Sequence, residues 1–346
     1  MSPTPLSPAA PSRPPTLAVV AISGAAMRYA EVEATDAGPR VRRLGTCDFD
    51  MDAEAAVFGP AAPVAAAPGA DDALDVVADA LRDVFAGTAA RSVVVAAAAT
   101  TSTTFFTPLP VGMSAAARDE QFRQEAALLA DVPPATPVRV RAVAVRAERA
   151  SPGGASAADR QWYHVLHVGE AVHARLARLA LALGVASYDV ADTARAAAAV
   201  ARALAASSEA SGVDLIVGAY GGHTEVAVVR DGALLLGHHG AGTTPEDTAY
   251  FALAALDVVG ASAASVGRLL VYGDALGEPA ADGVPERLAL LTQLAGAAPR
   301  PLDALALFGR PVGASPWELA AFAPVLGAAL EAVSAAATAG ADAAGA

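Results

Sequence analysis

Leu215-Ile216-Val217-Gly218-Ala219-Tyr220-Gly221-Gly222-His223-Thr224-Glu225-Val226-Ala227-Val228-Val229-Arg230-Asp231-Gly232 decides the fold. It reads as an apolar strand, a tight glycine turn, a second strand and an Asp-Gly hairpin tip. Small residues at the turn let backbone amides approach an anion closely. A third strand over 233–239 follows the tip, then a helix over 244–259 with Thr243 or Thr244 as cap and Pro245 in its first turn. A buried strand over 268–272 runs into Gly273-Asp274, followed by a helix over 285–295, a last strand over 302–308 and a closing helix over 316–331.

The same order stands earlier in the chain. Strands over 17–23, 27–35 and 40–48, with Gly24-Ala25-Ala26 as the first turn, precede a helix over 71–85 and a buried strand over 92–97. A strand over 187–190 and a helix over 193–206 complete that unit after an interruption at 104–184. The interruption holds a strand near Phe105, a helix over 114–130 capped by Ser114, strands over 138–147 and 161–168, and a helix over 170–183. The fold class expected is α/β, with two ribonuclease-H-like domains and an inserted β-α-β-β-α subdomain. The domains expected are 17–103 with 185–210, the insertion 104–184, and 211–331. A Pro-rich arm over 1–16 and an Ala/Gly tail over 332–346 are expected to lack fixed structure, as is a Ser151-Pro152-Gly153-Gly154 loop.

Composition removes whole classes of chemistry. The 346 residues carry a formal net charge of −13, which argues against nucleic-acid binding. All 23 basic residues are arginine, and asparagine is absent. A chain without lysine has no Walker P-loop, no kinase strand lysine and no Schiff base, and one without asparagine has no N-glycosylation acceptor. The single cysteine, Cys47, is expected on a strand and allows no internal disulfide. Residues 17–26 could pass for a signal-peptide core, but only Arg13 precedes them, within a proline-rich arm, so secretion is not expected. No apolar run is read as a membrane span.

The hairpin around Gly221-Gly222 resembles the second phosphate-binding hairpin of the actin-like ATPase superfamily, an apolar strand, Asp-x-Gly, small residues, Thr and an apolar strand. Three further segments resemble its PilM/FtsA branch: Phe105-Phe106-Thr107-Pro108-Leu109-Pro110 with Phe122-Arg123-Gln124-Glu125-Ala126, Ser187-Tyr188-Asp189-Val190-Ala191-Asp192-Thr193-Ala194, and Trp317 to Leu330. The resemblance implies a cytoplasmic protein at the inner-membrane face that binds ATP between two lobes. It also implies a grip on a peptide of a pilus or secretion component. Ala219 stands where the family has its second-hairpin aspartate, and Ala21-Ile22-Ser23-Gly24 aligns with its first Asp-x-Gly-Thr. Those carboxylates position magnesium on the phosphates, so magnesium binding and fast hydrolysis are not expected.

The candidate nucleotide residues are Ser23 and Gly24 of the first turn, Gly221, Gly222, His223 and Thr224 of the second, Gly240, Gly242 and Thr243 before a helix, and Gly273-Asp274 at the adenosine position. A structural reading stands beside each: ordinary hairpins, a glycine-rich lead into a helix, and a turn. His238-His239 with His223, and His164 with His167 and His173, do not share strand or helix faces suited to a metal. Arg118, Arg123, Arg141, Arg146 and Arg149 of the insertion could meet an acidic peptide or form a solvated face. Three functions compete: a PilM-type scaffold, an actin-fold small-molecule kinase, and a degenerate actin-like protein without a pilus link.

Overall fold

In the computed structural model, residues 16–35, 38–59, 70–98, 102–133, 136–149, 159–205, 212–277, 283–308 and 315–344 are described. The 151–154 loop and all but Thr16 of the N-terminal arm lie outside them.

The first lobe begins with β1 (Thr16–Ser23), β2 (Ala26–Thr35) and β3 (Gly38–Asp48), an antiparallel meander. Two helices follow, α1 (Ala53–Phe58) and α2 (Ala70–Val84), and then β4 (Ser92–Ala97). The insertion supplies β5 (Thr103–Pro110), α3 (Ala115–Leu129), β6 (Val140–Glu148) and β7 (Arg160–His167), an antiparallel sheet ordered β5-β7-β6. Next, α4 (Glu170–Leu183) packs against α2 in the first lobe, so the inserted body is the sheet with α3. β8 (Ser187–Asp192) then joins β4 in parallel and completes the sheet order β3-β2-β1-β4-β8.

The second lobe repeats that plan. After α5 (Thr193–Ala205) come β9 (Val213–Ala219), β10 (Thr224–Arg230) and β11 (Ala233–Gly240). Asp231 and Gly232 form the tip with φ of 52° and 72°, the pair of positive values a type I′ turn requires. α6 (Pro245–Val258), β12 (Val266–Tyr272), α7 (Ala289–Ala295) and β13 (Pro299–Pro301) follow, giving the order β11-β10-β9-β12-β13. The chain ends in α8 (Pro316–Leu319) and α9 (Ala323–Ala344). Each sheet is three antiparallel strands extended by parallel ones, in the same sequence.

Several details differ from the sequence reading, among them the added helix α1 and the 3-10 turn over 320–322 that splits the closing helix. The last strand is Pro299–Pro301 rather than 302–308, and residues 304–307 form a 3-10 turn. Proline lacks an N–H and suits such a sheet edge, while Leu302, Ala304 and Leu305 turn inward to the core. The closing helix continues to Ala344, through most of the segment expected to fray. By length and composition the stretch Pro316–Ala336 could cross a membrane, with mean hydropathy 1.7, but half of it is buried within the fold.

Strand alternation sorts the core into layers. Ala18, Val20 and Ile22 of β1 face α1, α2 and α4, while Val19 faces a central layer. Leu215, Val217 and Ala219 of β9 face α6 and α7, while Ile216 joins that same central layer. Its middle is α5 packed on α9. The helices are exchanged: α5, read as the end of the first unit, lies on the second sheet, and α9 lies on the first. Alanines 196, 197, 198, 323, 328 and 329 are buried there, which gives the alanine-rich composition its structural role. Small side chains let the two helix backbones approach closely and tie the lobes together.

Candidate functional site: the cleft between the lobes

The β1–β2 and β9–β10 turns face each other across a cleft of about 740 Å³. Of the candidate residues, Ser23, Gly24, Gly221, Gly222, His223 and Asp274 line it together. A Cβ at Gly221 or Gly222 would meet nothing within 4 Å, and neither has a positive φ. Nothing in the fold itself demands glycine at these two positions. They leave open space over the turn backbone.

The other candidates are structural. Thr224 is fully buried, donates through Oγ1 to the Gly242 carbonyl (2.8 Å) and accepts from Arg287 Nη2 (2.8 Å). A Cβ at Gly240 would fall 2.0 Å from the Phe251 ring, and one at Gly242 would fall 2.6 Å from the Asp247 side chain. Gly273, at φ 108°, passes so close to β9 that a Cβ would sit 2.2 Å from the Ala219 carbonyl oxygen. Thr244, not Thr243, caps α6, in a reciprocal box with Asp247. That box and the acids Glu246 and Asp247 occupy the helix start, so it repels an anion.

The cleft is acidic. Asp48, Asp52, Glu54 and Asp274 all line it. Glu54 matters most, because its Oε2 accepts the Gly24 N–H at 2.8 Å and its own N–H donates to the Gly24 carbonyl at 2.9 Å. The first turn's amide is therefore already engaged by a carboxylate of the same chain. Across the cleft, Arg28 Nη1 of β2 meets Asp274 Oδ2 at 3.2 Å, joining the lobes at its mouth. Neither Glu54 nor Arg28 was singled out from sequence. Asp52 as N-cap followed by an acid in the first turn was a readable helix start, but its destination 30 residues away was not.

Beneath the second turn lies Arg287, 8% exposed. Its Nη1 donates to the Tyr220 carbonyl (2.6 Å) and its Nη2 to the His223 carbonyl (2.7 Å). Burial lowers its pKa, opposed by the charges of Asp274 and Asp247. Behind the turn, Glu225 is wholly buried and accepts from Thr193 Oγ1 and Tyr272 OH, each at 2.6 Å. Burial raises its pKa, but hydrogen bonds from His223, Thr193 and Tyr272 outweigh it and hold the carboxyl below its ordinary value. The Tyr220 ring stacks on His223 at 4.5 Å.

The remaining sequence candidates scatter. His164 lies 3.9 Å from Asp192, while His167 faces the Arg139 carbonyl and His173 the Tyr188 hydroxyl. Arg118 donates to Tyr163 OH, Arg123 pairs with Glu120, Arg141 with Asp189, and Arg146 lies over the Trp162 ring. Four of the five insertion arginines are thus engaged within their own fold.

Among solved structures, the chain is similar to one in the PilM-PilN type IV pilus biogenesis complex, with 16% identity and a TM-score of 0.60 over 91% of this chain and 97% of that one. Weaker likenesses include a Bacteroides thetaiotaomicron protein with actin-like ATPase fold and unknown function (10% identity, TM-score 0.45, 83% of this chain and 91% of that one). Another is the cytoplasmic domain of EpsL, an inner membrane component of the Vibrio cholerae type II secretion system (16% identity, TM-score 0.39, 81% and 94%). No family model matches the sequence, and no curated protein does. The chain shares its overall fold with the matched chain of the PilM-PilN complex.

Proposed function

We propose that this actin-fold chain is an assembly scaffold that holds a peptide of an inner-membrane pilus or secretion component and has lost magnesium-dependent nucleotide turnover. This reading puts it at the cytoplasmic face of the inner membrane, attached through its partner. The observation that carries the loss is the Glu54 carboxylate on the Gly24 amide. A magnesium triphosphate would bring its charge to a cleft lined by four carboxylates, with alanine at both family aspartate positions, Ala21 and Ala219. Such residues do not fit the cofactor, since the carboxylates repel the phosphates and, among the described residues, no group of acidic or histidine side chains converges to hold the cation.

The peptide has a better place. A groove of about 700 Å³ separates the inserted sheet from α4 and β8. Its lining is apolar at Leu166, Val168, Ala180 and Val190, and Leu181 on its wall is 78% exposed. Both bordering strands, β6 and β8, are edges of their sheets, and such edges accept an extended chain. Arg139, Arg141 and His173 supply polar contacts around it.

The test uses synthetic peptides tiling the cytoplasmic segments of the host's pilus and secretion membrane proteins, titrated by fluorescence polarisation. At least one is expected to bind, and Leu181→Asp is expected to weaken it by about tenfold or more, as loss of a buried apolar anchor does. Leu181 is so exposed that the substitution should leave folding intact. No binding peptide, or binding indifferent to Leu181→Asp and to Tyr188→Ala, contradicts the reading.

A further inference from the structure

We propose that a third cavity, lined by β6, α5 and α9, binds a small oxyanion carried on an apolar body, such as an aliphatic carboxylate or an aryl phosphate. The cavity measures about 560 Å³, within the range of small-molecule sites. Val143, Val145, Ala199 and Leu330 give it apolar walls. Three guanidiniums, of Arg141, Arg195 and Arg202, share that lining with a single carboxylate, Glu331.

The partners present do not exhaust the donors. Glu331 Oε2 serves Arg195, lying 3.1 Å from Nε and 2.9 Å from Nη2. Arg141 turns toward β8, where it meets Asp189 Oδ2 at 2.6 Å and the Val190 carbonyl at 2.7 Å. Among the described residues Arg202 forms no ion pair. The Arg195 side chain is 1% exposed, and its Nη1 has no hydrogen-bond partner. A guanidinium carries five N–H donors in a fixed fork, and a buried donor left unmade is expensive. Burial depresses the pKa of both Arg141 and Arg202; the charges of Asp189 and Glu331 respectively oppose it, and that of Arg195 adds to it.

An oxyanion between Arg195 and Arg202 would supply the missing acceptors and relieve the repulsion among the three cations. Its apolar body would cover Val143, Val145 and Leu330. Because β6 belongs to the insertion while α5 and α9 join the lobes, the ligand would also fasten the insertion to the lobe junction. This site is separate from the inter-lobe cleft and does not depend on how that cleft is read.

Calorimetry with hexanoate, phenyl phosphate and inorganic phosphate tests the site on the full chain. Hexanoate or phenyl phosphate is expected to bind at millimolar concentration or below, and inorganic phosphate more weakly, because it lacks the apolar body. Arg202→Gln, which breaks no ion pair, is expected to weaken binding by about tenfold or more while leaving the unfolding temperature of the free protein unchanged. Ala203→Phe, which fills the cavity and keeps every charge, is expected to abolish binding. The proposal is overturned if neither amphiphilic anion binds, if inorganic phosphate binds as tightly as they do, or if both variants bind like the parent. Binding confined to an acidic peptide overturns it equally.

Discussion

Replacing Gly327 by alanine is expected to lower stability by about 3 kcal/mol, and replacing it by leucine to leave no cooperative unfolding transition. A Cβ at this position would fall 1.9 Å from the Ala196 carbonyl oxygen and 2.4 Å from its carbon. Both obstacles are backbone, so no side-chain rotation relieves the clash. α9 would have to lift from α5, opening the alanine layer on which both sheets rest. Alanine at Gly221 or Gly222 is the matched control, since a Cβ there meets nothing within 4 Å. Those variants should stay within about 0.5 kcal/mol of the parent in urea denaturation. Equal losses at all three positions would contradict the exchanged-helix core.

The second large effect is a hidden pair of opposing titrations. Asp192, fully buried at the end of β8, is held up to about 7 by burial and by the charge of Glu225. Between its ordinary 3.8 and about 7, the folded protein keeps a proton that the unfolded chain has released. That stabilisation is complete at low pH and is lost as pH rises through about 7. His164, 3.9 Å away, behaves oppositely, pushed down to about 3 by burial and by Arg195. Between about 3 and its ordinary 6.5 the unfolded chain binds a proton the folded state refuses, so stability rises with pH there.

In the parent these two slopes largely cancel. Asp192→Asn should therefore unmask a stability that climbs from pH 4 to pH 6.5, and His164→Gln one that falls from pH 4 to pH 7. Each divergence from the parent should amount to on the order of 4 kcal/mol across its window. Urea midpoints measured through the range decide it. Parallel curves for all three proteins would show that neither group titrates as its burial requires.

Much of this architecture was legible because each lobe writes its layers into strand alternation and helix spacing. The Asp-Gly tip, the Thr244-Pro245 helix start and the helix over 170–183 need only near neighbours, and sequence carries near neighbours well. The strand expected at 302–308 failed because apolar content alone does not separate a strand from inward-facing turns; the prolines at 299 and 301 marked the true edge. The exchange of α5 and α9 is invisible to local pattern, since either sheet would accept such an alanine-rich face.

The site divided along the same line. The resemblance to two phosphate hairpins and an adenosine turn implies one cleft for the residues of the two turns with Asp274, and the structure brings them together there. Gly240, Gly242 and Gly273 could not be told from ligand-facing glycines, because their small size answers Phe251, Asp247 and the Ala219 backbone respectively. The roles of Glu54 and Arg287 carry no local signal, because their partners are distant in sequence. One reaches 30 residues back to Gly24, and the other 67 back to Tyr220.

The most direct test of the cleft is calorimetric titration of the full chain with ATP, with and without magnesium. With the Gly24 amide held by Glu54 and no carboxylate at Ala21 or Ala219, no magnesium-dependent heat is predicted at millimolar ATP. Tight binding that requires magnesium would contradict the account at its centre.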